Sequence, residues 1–265
     1  MNRSWVFTDI EFVAAWEAMK EKDLPAPFVY TSATERYDDH QLEKIEAWER
    51  VRSRWGREVE EILACVIEPD IRIVVRGFDG SDAQNSQRSI RLLAARKRDS
   101  GCLIVQKPGK TLWHAEGFTV TEHEVVGLGD AVVAALPQAA RGRNADFVLV
   151  SGERSDPTDR SRGRSSVLDR GGDDPAARAR SFGDAPVDLS GTIAIAQGYS
   201  RFGPRGIRRR SIGWRDIAGD GRYAIVPGNP ARVVPVDRKR LVGLVNRQIA
   251  EIVRAIKDER ANVPS

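Results

Sequence analysis

Five stretches of this 265-residue chain hold side chains whose types and spacing could do chemistry. Gly109-Lys110-Thr111 resembles the tail of a phosphate-binding loop. That loop needs a glycine five positions before Gly109 and a helix behind it, so that backbone amides cradle the phosphate. Position 104 is Ile104 and a strand pattern follows, so the fragment reads as a turn. His123-Glu124 begins like a zinc-protease helix, but the second histidine would fall at Gly127, so no i, i+4 ligand pair forms. Gly127-Leu128-Gly129-Asp130 lacks the third glycine of a dinucleotide fingerprint. Asp216 and Asp220 stand close enough to suggest an acid/base pair. In the context Ala218-Gly219-Asp220-Gly221, however, Asp220 reads as a turn former and Asp216 as a partner for Arg215 or Arg222. Cys65 and Cys102 form neither a disulfide framework nor a metal-ligand spacing. The expectation is no catalytic residues, no metal and no cofactor.

The fifth stretch is Arg201 to Arg210, which holds five arginines and no acids and so accounts locally for the net charge of +4. Such a run could contact phosphates, and nucleic-acid binding is the alternative function it raises. If residues 207–216 form a strand, Arg208 and Arg210 share one face and Arg209 takes the other. A partner-facing edge fits that alternation better than a basic stripe. Met1 to Thr8 lacks a signal-peptide pattern, and no run of about eighteen apolar residues is present. The chain is expected to be cytoplasmic, with no membrane and no small-molecule substrate.

These residues need elements to hold them. Trp5 to Phe7 reads as a strand, followed by Thr8-Asp9-Ile10-Glu11, a capping box opening a helix with Phe12 and Trp16 inward. Phe28 to Tyr30 reads as a short strand. Gln41 to Trp55 and Arg57 to Ile67 read as an adjacent helix pair broken at Gly56. The period then changes to two over residues 70–78, 89–97, 102–107 and 110–119, and a helix follows over 122–136. Gly152 to Pro186 is rich in Arg, Asp, Gly and Ser and reads as a flexible polar insert, taken as 152–187, within a single domain of 1–265. Strands over 192–199, 207–216 and 222–226 precede a long helix from Pro235 to about Glu259. Trp214 and Tyr223 sit on opposite arms of the 211–226 hairpin, where cross-strand aromatic packing could fix register. Strands then helix, twice, suggests an internal duplication.

Several of these residues resemble the EspG family, cytosolic specificity chaperones of type VII (ESX) secretion systems. They are Trp5-Val6-Phe7-Thr8-Asp9-Ile10-Glu11-Phe12, Trp16-Glu17, Leu24-Pro25, and above all Gly213-Trp214-Arg215-Asp216 with Gly219-Asp220-Gly221-Arg222-Tyr223. The resemblance implies an α+β fold: a central antiparallel sheet with two flanking helical bundles and approximate internal two-fold symmetry. It also implies a non-enzymatic role, binding the hydrophobic helical tip of a PPE protein in a PE–PPE heterodimer. The binding surface would correspond here to the loop Asp79 to Gln87, the sheet face, and the helix beginning at Asp237. The candidate partner-binding residues are Asp79, Asp82, Gln84, Gln87, Arg208, Arg210, Trp214 and Leu241.

Overall fold

A computed structural model describes residues 3–19, 23–149 and 175–261. In chain order the elements are β1 (Ser4–Thr8), α1 (Asp9–Ala18), α2 (Tyr37–Trp55), α3 (Arg57–Ile67), β2 (Ile71–Asp79), β3 (Ile90–Lys97), β4 (Ser100–Pro108), β5 (Ala115–Glu124) and α4 (Leu128–Ala134). They continue as β6 (Phe147–Leu149), α5 (Pro175–Asp184), β7 (Val187–Gln197), β8 (Arg209–Ile217), β9 (Gly221–Val226), β10 (Ala231–Pro235) and α6 (Arg238–Ala261). The α1 start is the capping box expected: Thr8 Oγ1 accepts from the Glu11 amide, and Glu11 returns a carboxylate oxygen to the Thr8 amide. Replacing Thr8 by alanine should cost about 1 kcal/mol, read as a lower midpoint in a denaturant titration. Glu11 is buried but not left alone, since Arg54 and Arg50 lie 3.5 and 3.8 Å from it. That pairing locks α2 onto α1.

All ten strands form one antiparallel sheet in the order β1-β5-β4-β3-β2-β7-β8-β9-β10-β6. Each half of the chain therefore puts its first strand at an outer edge, beside the last strand of a four-strand meander. The halves meet where β2 pairs with β7, from Ile71↔Gln197 to Asp79↔Leu189. Side chains alternate faces along every strand, and the two faces are covered differently. On one, Ile71, Ile73, Leu92, Ile193, Ile212 and Trp214 pack under α4 and α6. On the other, α1 and α3 cover β1, β5, β4 and β3 through residues such as Phe12, Leu63, Leu93 and Ile104. Farther along that second face, Phe182 of α5 packs on Tyr223, Phe147 and Val233.

Several boundaries differ from those expected. Residues 28–30 form no strand; Phe28 instead packs its ring on Phe12 and Phe118. The last strand of the first meander starts at Ala115, because residues 109–114 close a loop through the Gly109 amide and the His114 carbonyl. It runs on to Glu124, held by β1 and β4 on its two sides, so α4 begins only at Leu128. The short strands β6 and β10 carried no period long enough to read. Of the polar insert, residues 152–174 lie outside the described residues, while α5 and the start of β7 occupy its final part.

Candidate partner-binding surface

Between the two helix groups on the second face, the described elements leave the middle of β2, β7 and β8 open, although Val74 packs against the α1 and α3 cluster and Arg215 and Ile217 lie against α5. The registers of these strands align Arg72 with Ala196, Val74 with Ala194, Arg76 with Thr192 and Phe78 with Ser190 on this face. Across the next ladder, Arg209, Ser211, Gly213 and Arg215 continue it. Arg76, Thr192, Ala194, Arg209 and Ser211 are exposed. Small side chains along β7 and β8 make a low floor between α3 and α5, so the face is a trough. At one end stand Phe78, 43% exposed, and Trp113 of the β4–β5 loop, 69% exposed.

That same end carries the β2–β3 loop, and its order comes from Asp79. The buried carboxylate accepts from the Ser81 amide (3.0 Å), the Ser81 hydroxyl (2.8 Å) and Asn85 Nδ2 (2.7 Å), with Arg88 3.6 Å away. The Ser81 hydrogen bonds come first among the causes that hold its pKa down at about 2. Asp82 repeats the device by accepting from the Gln84 amide. Ser86 and Gln87 donate to the Gly109 carbonyl and so tie the loop to the β4–β5 turn. An unfolded aspartate titrates near 4. The loop's support is therefore complete above about pH 4 and is lost as pH falls toward 2. Asp79→Ala should remove it at neutral pH, with amides of residues 80–89 exchanging at least about tenfold faster while core amides are unchanged.

The β8–β9 turn closes the neighbouring corner. The Asp220 amide donates to the Ile217 carbonyl (3.0 Å), and Gly219 takes φ +71°, which a side chain would strain. Asp216 pairs with Arg222 through Oδ1···Nε 2.6 Å and Oδ2···Nη2 2.7 Å, both side chains buried. Tyr223 donates to Asp220 Oδ2 (2.6 Å) and accepts from the Asn144 amide and side chain. These bonds strap residues 140–144 to the sheet end. A groove of about 530 Å³ lies there, lined by Gln87, Arg88, Gln138, Asp188, Asp216 and Asp220 among others. Both expected roles for the aspartates hold, with Arg222 rather than Arg215 as the partner of Asp216. The groove's two inner carboxylates are already engaged, Asp216 with Arg222 and Asp220 with Tyr223, while Gln138 and Asp188 are exposed at its rim. Among the described residues, no group of three or more His, Cys, Asp or Glu could hold a metal ion.

The structure divides the sequence-derived candidates. Asp79, Asp82, Gln84 and Gln87 gather in the β2–β3 loop, where Asp79 is a buried organiser of the loop. Arg208 and Arg210 stand at the opposite end of the sheet, about 25 Å along β8 at 3.3 Å per residue. Arg210 there binds Glu251 of α6 at 2.7 Å, while Arg209 alone faces the trough, so no basic stripe forms along this edge. Trp214 and Leu241 are corrected outright: at 1% and 0% exposure they are core and present no contact surface. The Trp214 ring lies over Gly77 and Gly191, where an added Cβ would crowd it at the first and run into it at the second. Trp214 and Tyr223 do not stack across the hairpin. Trp214 pairs with Ala224 and Tyr223 with Arg215, so the two rings lie on opposite faces. The missed residues are Arg76, Arg91 and Arg215; the alternation of residues 71–76 carried a signal for Arg76, while Arg91 of β3 and Arg215 of β8 reach the same face only through strand pairing. The remaining motifs are structural: Gly109-Lys110-Thr111 is a turn, His123 lies in β5, and both cysteines are buried.

An antiparallel sheet that leaves a broad trough open between helix groups defines a scaffold for binding the surface of another macromolecule. The EspG family model matches residues 8–247, and the chain belongs to that family. No curated protein matches it in sequence. Among solved structures it is similar to the type VII secretion chaperone EspG5 of Mycobacterium tuberculosis, solved in complex with a PE25–PPE41 dimer. The two share 10% identity and a TM-score of 0.56, over 94% of this chain and 96% of that one. At that identity the likeness is one of fold. No described helix is long and apolar enough to cross a membrane.

Proposed function

We propose that this protein is a cytosolic specificity chaperone of a type VII (ESX) secretion system. It binds the helical tip of a PPE-type substrate in a PE–PPE heterodimer, keeps that substrate soluble and directs its export, without a catalytic step of its own. The observation that carries the reading is the open middle of β2, β7 and β8 beside the ordered β2–β3 loop. Three strands about 4.8 Å apart and nine residues long give a floor of roughly 14 by 30 Å. A helix with its side chains is about 10 Å across, so one helical tip fits between the walls. With the rim and loop engaged, such a contact reaches the roughly 800 Å² per partner of a standard interface. Family membership and the fold shared with EspG5 support the same reading.

Co-expression with the PE–PPE pairs encoded in the same genome tests it. One pair is expected to become soluble only in the presence of this chain and to co-elute with it as a single complex. If every pair behaves identically with and without the chain, the reading is wrong.

A further inference from the structure

Arginines over much of this molecule end on carboxylates: Arg3 on Glu122, Arg210 on Glu251, Arg222 on Asp216, Arg238 on Asp130, Arg260 on Asp70. Four arginines on the trough face, Arg76, Arg91, Arg209 and Arg215, depart from that rule among the described residues. Arg91 of β3 shares this face, since it aligns with Arg76 across the β2–β3 ladder. Its guanidinium donates to the Leu112 carbonyl (2.8 Å) and the Ser89 hydroxyl (3.4 Å). Arg215 donates to the carbonyls of Phe182, Gly183 and Ala185 and stacks on the Phe182 ring at 4.9 Å. Among the described residues the Arg209 guanidinium reaches only the Ile207 carbonyl. Arg76, exposed in the middle of the floor, meets no carboxylate among the described residues.

Carbonyls and rings orient these guanidinium groups without neutralising them. Along β2, β7 and β8 the positions on this face carry Arg72, Val74, Arg76, Phe78, Ser190, Thr192, Ala194, Ala196, Arg209, Ser211, Gly213 and Arg215, with no acid among them. Burial lowers the pKa of Arg91, with the positive charge of Arg76 adding to it, and burial lowers that of Arg215. Like charges held together in this way are relieved by a partner that brings the opposite sign. Planar guanidinium groups suit carboxylates in particular, because each can give two parallel hydrogen bonds.

We infer that the partner surface filling this trough is acidic: the helical tip it receives presents carboxylates over Arg76 and Arg209, flanked by Arg91 and Arg215. The inference rests on the chaperone reading for the identity of the partner, and on the arginines alone for its chemistry. Apolar contact at Phe78 and Trp113 supplies the end anchor, and the arginines select among tips of similar shape.

The double variant Arg76→Gln, Arg209→Gln tests this, with Arg254→Gln on α6 as a control that removes a charge from the opposite face. The first probe is the PE–PPE pair that co-elutes with the chain. Its affinity should fall about tenfold or more in the double variant and stay unchanged in the control. Binding by the unaltered protein should weaken as salt rises from about 0.05 to 0.5 M, because salt screens exposed charges. Equal, salt-independent binding by all three proteins overturns the inference while leaving the chaperone reading in place. The second probe needs no natural partner: a helical-hairpin peptide with glutamates at its tip, beside the same peptide with glutamines. If no PE–PPE pair binds, the chaperone reading falls and these peptides decide the chemistry. Preference for the glutamate tip that is lost in the double variant upholds the acidic partner. Equal affinity for both tips, or equal loss in the control, overturns it.

Discussion

Replacing Arg222 by methionine is expected to destabilise the fold by about 3 to 5 kcal/mol. Arg222 and Asp216 are both buried and joined by two short hydrogen bonds, with a third from Arg222 Nη2 to the Pro137 carbonyl (3.0 Å). Removing the cation leaves a carboxylate inside the protein with no counter-charge, and the cost is that uncompensated burial rather than the worth of the pair itself. The prediction therefore has a second half. Adding Asp216→Leu to Arg222→Met should restore most of the lost stability, since two apolar groups of similar volume leave no buried charge behind. Equilibrium unfolding in urea measures both proteins. A single variant that loses less than about 1 kcal/mol, or a double variant no better than the single, would contradict the account.

Trp214→Ala should be as costly, about 3 to 5 kcal/mol, for a different reason. Its indole nitrogen is buried without a hydrogen-bond partner in the structure, so truncation forfeits packing alone. The ring spans the seam between β2 and β7, across Gly77 and Gly191, so its removal leaves a cavity in the core, and that cavity adds to the lost transfer free energy. For a chain of this size that loss lowers the melting temperature by roughly 6 to 20 °C. Partner affinity of the fraction that stays folded should change little, because the ring points away from the trough. A variant that melts normally yet no longer binds its partner would place Trp214 at the interface instead.

Where one chain segment carried both a period and an end signal, the sequence was enough. The capping box at Thr8 and Glu11, the break at Gly56 and the alternation of residues 71–76 all appear as read. The hairpin shows why a correct element can still mislead. A two-residue loop at Gly219-Asp220 would have put Trp214 and Tyr223 on one face. The loop found has three residues between Ile217 and Gly221, and a slip of one residue reverses every side chain of an arm. Turn signals locate a hairpin but do not count its loop. The trough was hidden for another reason. Whether an alternating strand shows its polar face to water or to a helix depends on distant elements, here α3 and α5, which meet the sheet only after folding. Arg208 and Arg210 belong to one contiguous run of arginines and are legible for that reason. Arg76, Arg91, Arg209 and Arg215 come together only through strand pairing.

The central ladder also sets the order of events as the protein is made. Every other long strand pairing in the sheet, apart from that of β1 with β5, joins segments close in sequence, whereas Asp79 and Leu189 are more than a hundred residues apart. Each meander can zip from its own turns, but β2 must wait for β7 to be synthesised. At typical rates of about 5 to 20 residues per second, the first half leaves the ribosome several seconds ahead of its complement. Throughout that interval Ile71, Ile73 and Val75 lie on an open strand edge, the kind of surface that recruits other chains. Nascent first halves should therefore be the form of this protein most prone to aggregate, and a ribosome-associated holdase its most useful helper.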